Sequence, residues 1–80
     1  MSFEESGEYE KAADCYRKAL EIDELVEEFY QRLIICYQSL GRKTEALSVY
    51  ERCRKMLAAF MGIAPSAETT AIYKGILQEP

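Results

Sequence analysis

Apolar residues recur along the chain in steps of three and four, the spacing that lines one face of an α-helix. Tyr9, Ala12, Ala13, Tyr16, Ala19 and Leu20 form the first such stripe, which predicts a helix over residues 7–22. Val26, Phe29, Tyr30, Leu33, Ile34, Tyr37 and Leu40 form the second and predict a helix over 24–40, with Asp23 as its N-cap. This second set is wider than one stripe, so its helix is expected at the centre, buried on more than one side. From Thr44 a third stripe of Ala46, Tyr50, Cys53, Leu57 and Phe60 leads to Gly62. About 18 residues at 1.5 Å each make this helix roughly 27 Å long. Gly62 stands where a helix-ending glycine is favoured, Ile63 can supply the accompanying hydrophobic contact, and Pro65 prevents the helix from resuming. Ser66 then offers an N-cap and Glu68 a carboxylate in the first turn. Ile72, Tyr73, Ile76 and Leu77 complete a docking stripe for a last helix ending near Leu77.

Sliding the sequence over itself gives one period. Gly7 falls on Gly41, Ala12 on Ala46, Tyr16 on Tyr50, Lys18 on Arg52 and Ala19 on Cys53, each pair 34 residues apart. Glycine, then small, aromatic and small residues at fixed offsets within 34 residues are the signature of a tetratricopeptide repeat. The fold class expected is therefore all-α: a tetratricopeptide-like antiparallel array of about four helices, winding as a right-handed α-α superhelix. Within the repeat, Tyr30, Leu33, Ile34 and Tyr37 take the places of the large aromatic, Leu, Gly and Tyr of a first helix, with Ile34 replacing a small residue. The stretch before it has the pattern of a second helix, but only six residues precede Gly7. A repeat unit does not bury its apolar face alone. The chain is accordingly expected to be the C-terminal part of a larger protein, with an apolar patch beside Tyr9 and Tyr16 that supports a weak dimer.

The totals narrow the function. Eighty residues make one small domain that buries roughly 60–65% of its unfolded surface. An apolar content of 49% with 30% charge is that of a folded soluble chain, not a disordered one. The acidic start MSFEESGEYE is unlike a signal peptide, and no apolar run has the length to span a bilayer, so a cytoplasmic protein without membrane contact is expected. The net charge of −4 is uneven: residues 1–30 hold ten acids against three bases, and residues 31–80 seven bases against four acids. Such a chain is a poor autonomous binder of phosphate backbone, which points to protein partners and not to nucleic acid.

Three cysteines, Cys15, Cys36 and Cys53, match neither a disulfide framework nor zinc-ligand spacing, and the absence of histidine removes the commonest general base and metal ligand. The glycines are isolated, so there is no phosphate loop. Adjacent acids such as Glu27 and Glu28 sit on a helix surface and do not converge in a cleft. No catalytic residue, cofactor, metal or small-molecule substrate is expected.

Binding candidates are few. At the offsets where a repeat array lines its inner groove stand Glu28, Gln31, Arg32, Ile35, Gln38 and Ser39. They could hold an extended peptide or a neighbouring helix; the plainer reading is a solvated face. Repeat proteins that clamp a peptide carboxylate use Lys and Asn at several of these places, which Gln31 and Ile35 do not match. Arg42, Lys43, Arg52, Arg54 and Lys55 read as a solvated basic face, and Lys11, Arg17 and Lys18 as helix-surface pairing among acids.

Ala46-Leu47, Tyr50-Glu51-Arg52, Leu57-Ala58, Gly62-Ile63, Pro65-Ser66, Glu68-Thr69 and Tyr73, in that order, resemble the end of the bacterial transcriptional activator domain. Two departures are Ala67, where proline is frequent, and Phe60-Met61 in place of more polar residues. Relatives of this kind follow a winged-helix DNA-binding domain in antibiotic-regulatory activators or accompany ATP-dependent signalling modules. The resemblance implies a non-enzymatic helical domain for self-association, intramolecular signalling or contact with its own DNA-binding or signalling domains, with DNA read elsewhere. The alternative is a generic tetratricopeptide adaptor that binds a peptide or helix in an unrelated assembly.

Overall fold

A computed structural model describes residues 3–79. Four helices follow in order: α1 (Tyr9–Ile22), α2 (Glu27–Ser39), α3 (Lys43–Met61) and α4 (Ala67–Leu77). No strand occurs among the described residues. The all-α array expected from the periodicity is the fold, with each helix boundary within a turn of its predicted place.

The helix ends follow from backbone chemistry. Gly41, at φ 74°, donates its N–H to Gln38 O while Arg42 N–H reaches back to Tyr37 O at 2.8 Å. This pair of bonds satisfies the last carbonyls of α2 and turns the chain into α3. The same pattern recurs 34 residues earlier, where Gly7, at φ 81°, donates to Glu4 O and Glu8 N–H to Phe3 O at 2.7 Å. Residues 3–6 therefore form the same closing turn as the end of α2, and the internal repeat extends to backbone hydrogen bonds.

One start differs from expectation. Asp23 does not cap α2: its carboxylate accepts from Leu25 N–H at 3.1 Å in a tight turn at the end of α1, and Val26 occupies the N-cap position. A short polar side chain that bonds the backbone two residues ahead closes a turn instead of opening a helix. The Tyr30 hydroxyl bonds Glu24 O at 2.7 Å and holds this turn away from the helix. As a result α2 begins three residues later than its apolar pattern suggests.

Helix α2 is the centre, packed by α1, α3 and α4. Tyr30, Ile34 and Cys36 have no exposed surface and Leu33 and Tyr37 little. Ala12 and Ala13 from α1, Ala46, Cys53 and Leu57 from α3 and Ile76 from α4 complete the core. Alanine at the repeated position lets backbones approach, and Tyr50 one turn on stacks flat against Tyr73 of α4, ring centroids 4.0 Å apart. The one-repeat-earlier Tyr16 meets Phe29 of α2 at 6.4 Å.

Two residues expected in the core are outside it. Phe60 is 64% exposed and Leu77 52%. Helix α3, with 19 residues, is about 28 Å long against about 20 Å for the 13 residues of α2. Arg52 lies over the Tyr30 ring near the start of α2 and Leu57 is still buried, so only the last turn of α3, with Phe60, extends past the covering neighbour. Ile63 is likewise 47% exposed, although its N–H bonds Leu57 O beside the left-handed Gly62.

Candidate partner-binding surface

The six groove-offset residues of α2 divide between two surroundings. Gln31 and Gln38 face α4 and hold it. Gln31 Nε2 donates to Thr69 Oγ1 at 2.8 Å, and Gln38 Nε2 donates to a Glu79 carboxylate oxygen just beyond α4. These bonds run along one side of α2 from its first half to its last turn, so α4 lies parallel to α2. Glu28 and Arg32 instead line an open cavity of about 360 Å³ with Glu4, Glu5, Tyr16 and Phe29. Ile35 is half-buried and Ser39 exposed.

That cavity is polar at its rim and aromatic at its floor. Arg32 spans it, 3.6 Å from Glu4 and 3.9 Å from Glu28. Beneath, Cys36 Sγ contacts Glu4 Oε1 at 3.6 Å. Burial, then the Glu4 carboxylate, pushes the Cys36 thiol up to about 12, and burial, then Glu27, does the same to Cys53. Both are protonated thiols that behave as small apolar side chains. Cys15 is exposed. Among the described residues no group of three acids, thiols or imidazoles has the arrangement to hold a metal ion.

The densest polar constellation lies at the start of α4, and of it only the Ser66 cap had a sequence signal. Ser66 caps the helix as expected, its Oγ accepting from Thr69 N–H at 3.3 Å. A second cap comes from α2: Glu27 Oε2 accepts from Ser66 N–H at 2.8 Å and from the hydroxyl of Thr69, which has no exposed surface. Burial alone would push the Glu27 carboxyl up, but the Thr69 and Ser66 hydrogen bonds outweigh it and hold the group below the usual carboxylate range. A carboxylate at a helix N-terminus also meets the positive end of the peptide dipoles. Glu27 and Gln31 thus grip Thr69 from two successive turns of α2.

Among the described residues, five of the ten basic side chains stand in ion pairs, Arg32 in the cavity being one of them. Arg42 pairs with Glu10 at 2.5 Å, Arg54 with Glu51 at 2.8 Å and Lys11 with Glu8 at 3.3 Å; Arg17 pairs with Asp14. These are exposed pairs of small energetic worth.

Residues 3–77 match the sequence model of the bacterial transcriptional activator domain. The chain belongs to that family. The family is one of regulatory transcription domains, and the match covers the closing turn at Gly7, the repeat at Gly41 and the α3–α4 ending that carried the resemblance. No curated protein and no solved structure matches the chain significantly. No helix among the described residues is long and apolar enough to cross a membrane.

Proposed function

We propose that this bacterial transcriptional activator domain is the non-enzymatic interaction module of a cytoplasmic regulator, passing a signal between itself and DNA-binding or signalling domains of the same protein. The observation that carries the reading is the family match over residues 3–77, combined with the pairing of Arg42 and Arg54 of the basic face with the chain's own acids. Contacts of this module are then with protein, while promoter DNA is read elsewhere in the regulator. The duplicated closing turn at Phe3–Glu8 supports placing the chain at the C-terminal end of a longer helical array. Glu28 and Arg32, with Ile35 and Ser39 further along α2, are the groove residues left for a partner; Gln31 and Gln38 serve α4.

The test is excision of residues 3–77 from the regulator, read by promoter binding and by a transcriptional reporter. Loss of activation with promoter binding retained is the expected result. Unchanged activation, or a gel shift of duplex DNA by the 80-residue chain alone at physiological salt, refutes the reading.

A further inference from the structure

The up-and-down course of the helices brings the end of α1, the start of α2 and the end of α3 to one end of the array. Four large apolar side chains are exposed there: Ile22 at 89%, Phe60 at 64%, Met61 at 54% and Ile63 at 47%. They occupy the last turns of α1 and α3 and the linker beyond, with half-buried Leu25 and Val26 at the start of α2 between them. Residues 56–67 contain no charge at all, in a chain that is 30% charged. The other large exposed apolar groups, Phe3 and Leu77, belong to the opposite end.

Charge selects what can cover this surface. Between Lys18 and Arg32 the chain has no base, and Glu21, Asp23, Glu24 and Glu28 are all exposed around the same end. Arg32 is turned toward Glu4 and Glu28, and Lys18, one turn before Ile22, and Arg52, over the Tyr30 ring, are outnumbered by the four acids, so the rim stays net acidic. An acidic rim repels nucleic acid and anionic membranes. It also opposes a second copy, because a two-fold contact would set each acidic rim against its twin. A positively charged polypeptide with an apolar face meets both requirements.

We infer that this end is the docking site for a basic amphipathic helix of a partner polypeptide, lying across α1, α2 and α3. Neighbouring helix axes about 8–10 Å apart give a span of roughly 16–20 Å, which about 11–13 helical residues cover. Apolar side chains of the partner rest on Ile22 and Phe60, and its flanking Lys or Arg groups meet Glu21, Asp23 and Glu24. The inference rests on reading the domain as an interaction module and names the surface and the chemistry of its partner.

The test uses fluorescence anisotropy with a labelled 14-residue peptide of leucine and lysine at helical spacing, at low and high salt. Saturable binding that weakens with salt is expected. Phe60→Ser combined with Ile63→Ser weakens it at least tenfold, and Glu21→Gln with Glu24→Gln weakens it severalfold and flattens the salt dependence. Glu8→Gln with Glu10→Gln, at the opposite end, changes it less than twofold. Thermal melts check that each variant folds, and Met61→Gln is the replacement if the first pair does not. Wild-type affinity in the apolar variants, or equal losses from both pairs of acids, overturns the proposal. So does sedimentation showing a dimer that Phe60→Ser dissociates, since a second copy would then be the occupant. If the peptide fails while excision of residues 3–77 still silences the reporter, only this inference falls.

Discussion

The grip of α2 on α4 can be measured. Replacing Thr69 by Val keeps the shape of a side chain with no exposed surface but removes the hydroxyl that donates to Glu27 and accepts from Gln31. A hydrogen bond to a charged group contributes about 1.5–3 kcal/mol and a neutral one about 0.5–1.5 kcal/mol. Glu27 and Gln31 are only half-buried, so water replaces part of what is lost. The loss is placed near the lower limit, about 1.5 kcal/mol, which for a domain of this size lowers Tm by about 6–12 °C. Glu27→Gln keeps an acceptor but removes the charge, and costs about 1 kcal/mol. Because the two groups touch, their effects do not add: a double-mutant cycle gives a coupling of about 0.5–1 kcal/mol.

The same cycle has a pH signature. The folded-state pKa of Glu27 lies below its unfolded value, so its contribution is complete above the unfolded carboxyl value of about 4.3 and is lost as pH falls through the folded value. Urea melts of wild type and Glu27→Gln between pH 7 and pH 3 measure this. The stability gap is expected to narrow with acid as the wild-type carboxylate protonates. Additive single mutants, a Thr69→Val melting point within 2 °C of wild type, or a gap that does not change with pH would each show that the contacts are incidental.

Other outcomes follow from single features. Gly62→Ala meets no atom within 4 Å but must hold φ 65°, so it costs about 1–2 kcal/mol by backbone strain alone, seen as a lower urea midpoint with unchanged slope. In a thiol titration with Ellman's reagent, Cys15 reacts at once while Cys36 and Cys53, buried and with thiols pushed up to about 12, react only as the protein unfolds. Tyr50→Leu and Tyr73→Leu, analysed as a cycle, give a coupling of about 0.5–1.5 kcal/mol for their stacked rings. Phe60→Ser, at an exposed position, changes stability by less than about 0.5 kcal/mol.

Local rules made most of the array legible. The glycine turns at Gly41 and Gly62, the Ser66 cap and the apolar stripes each depend on residues within a few positions of one another, and all four helices formed where those signals stood. The misses depend on relations the sequence does not carry locally. Phe60 is on the helix face shared by Val49, Cys53 and Met56, so its face was read correctly; its exposure comes from the shorter length of α2, which is set by the Asp23 turn. Thr69 and Thr70 are indistinguishable as sequence, and the partner that buries the first lies 42 residues earlier on another helix. Gln31 and Gln38 were read as facing a groove because a repeat array presents that side of its first helix to a ligand; here α4 itself occupies part of that side.

That occupation bears on how the module could respond to a partner. Helix α4 brings Ile76 and one face of Tyr73 to the core, while much of what fixes its position is polar: Glu27 and Gln31 at its start and Gln38 near its end. Hydrophobic burial is tolerant of small sliding movements, whereas hydrogen bonds at both ends of a helix fix its register along the neighbour. Glu27 stands in the first turn of α2, at the same end of the array as the proposed docking surface of α1, α2 and α3. A partner helix seated across that end would lie beside the Glu27 carboxylate, and added positive charge there would lower its pKa further. Docking should therefore shift the acid limb of the Glu27-dependent stability to lower pH, and the difference should vanish in Glu27→Gln. Urea melts with and without the leucine-lysine peptide distinguish this coupling from simple stabilisation by binding, which would raise both proteins equally at every pH.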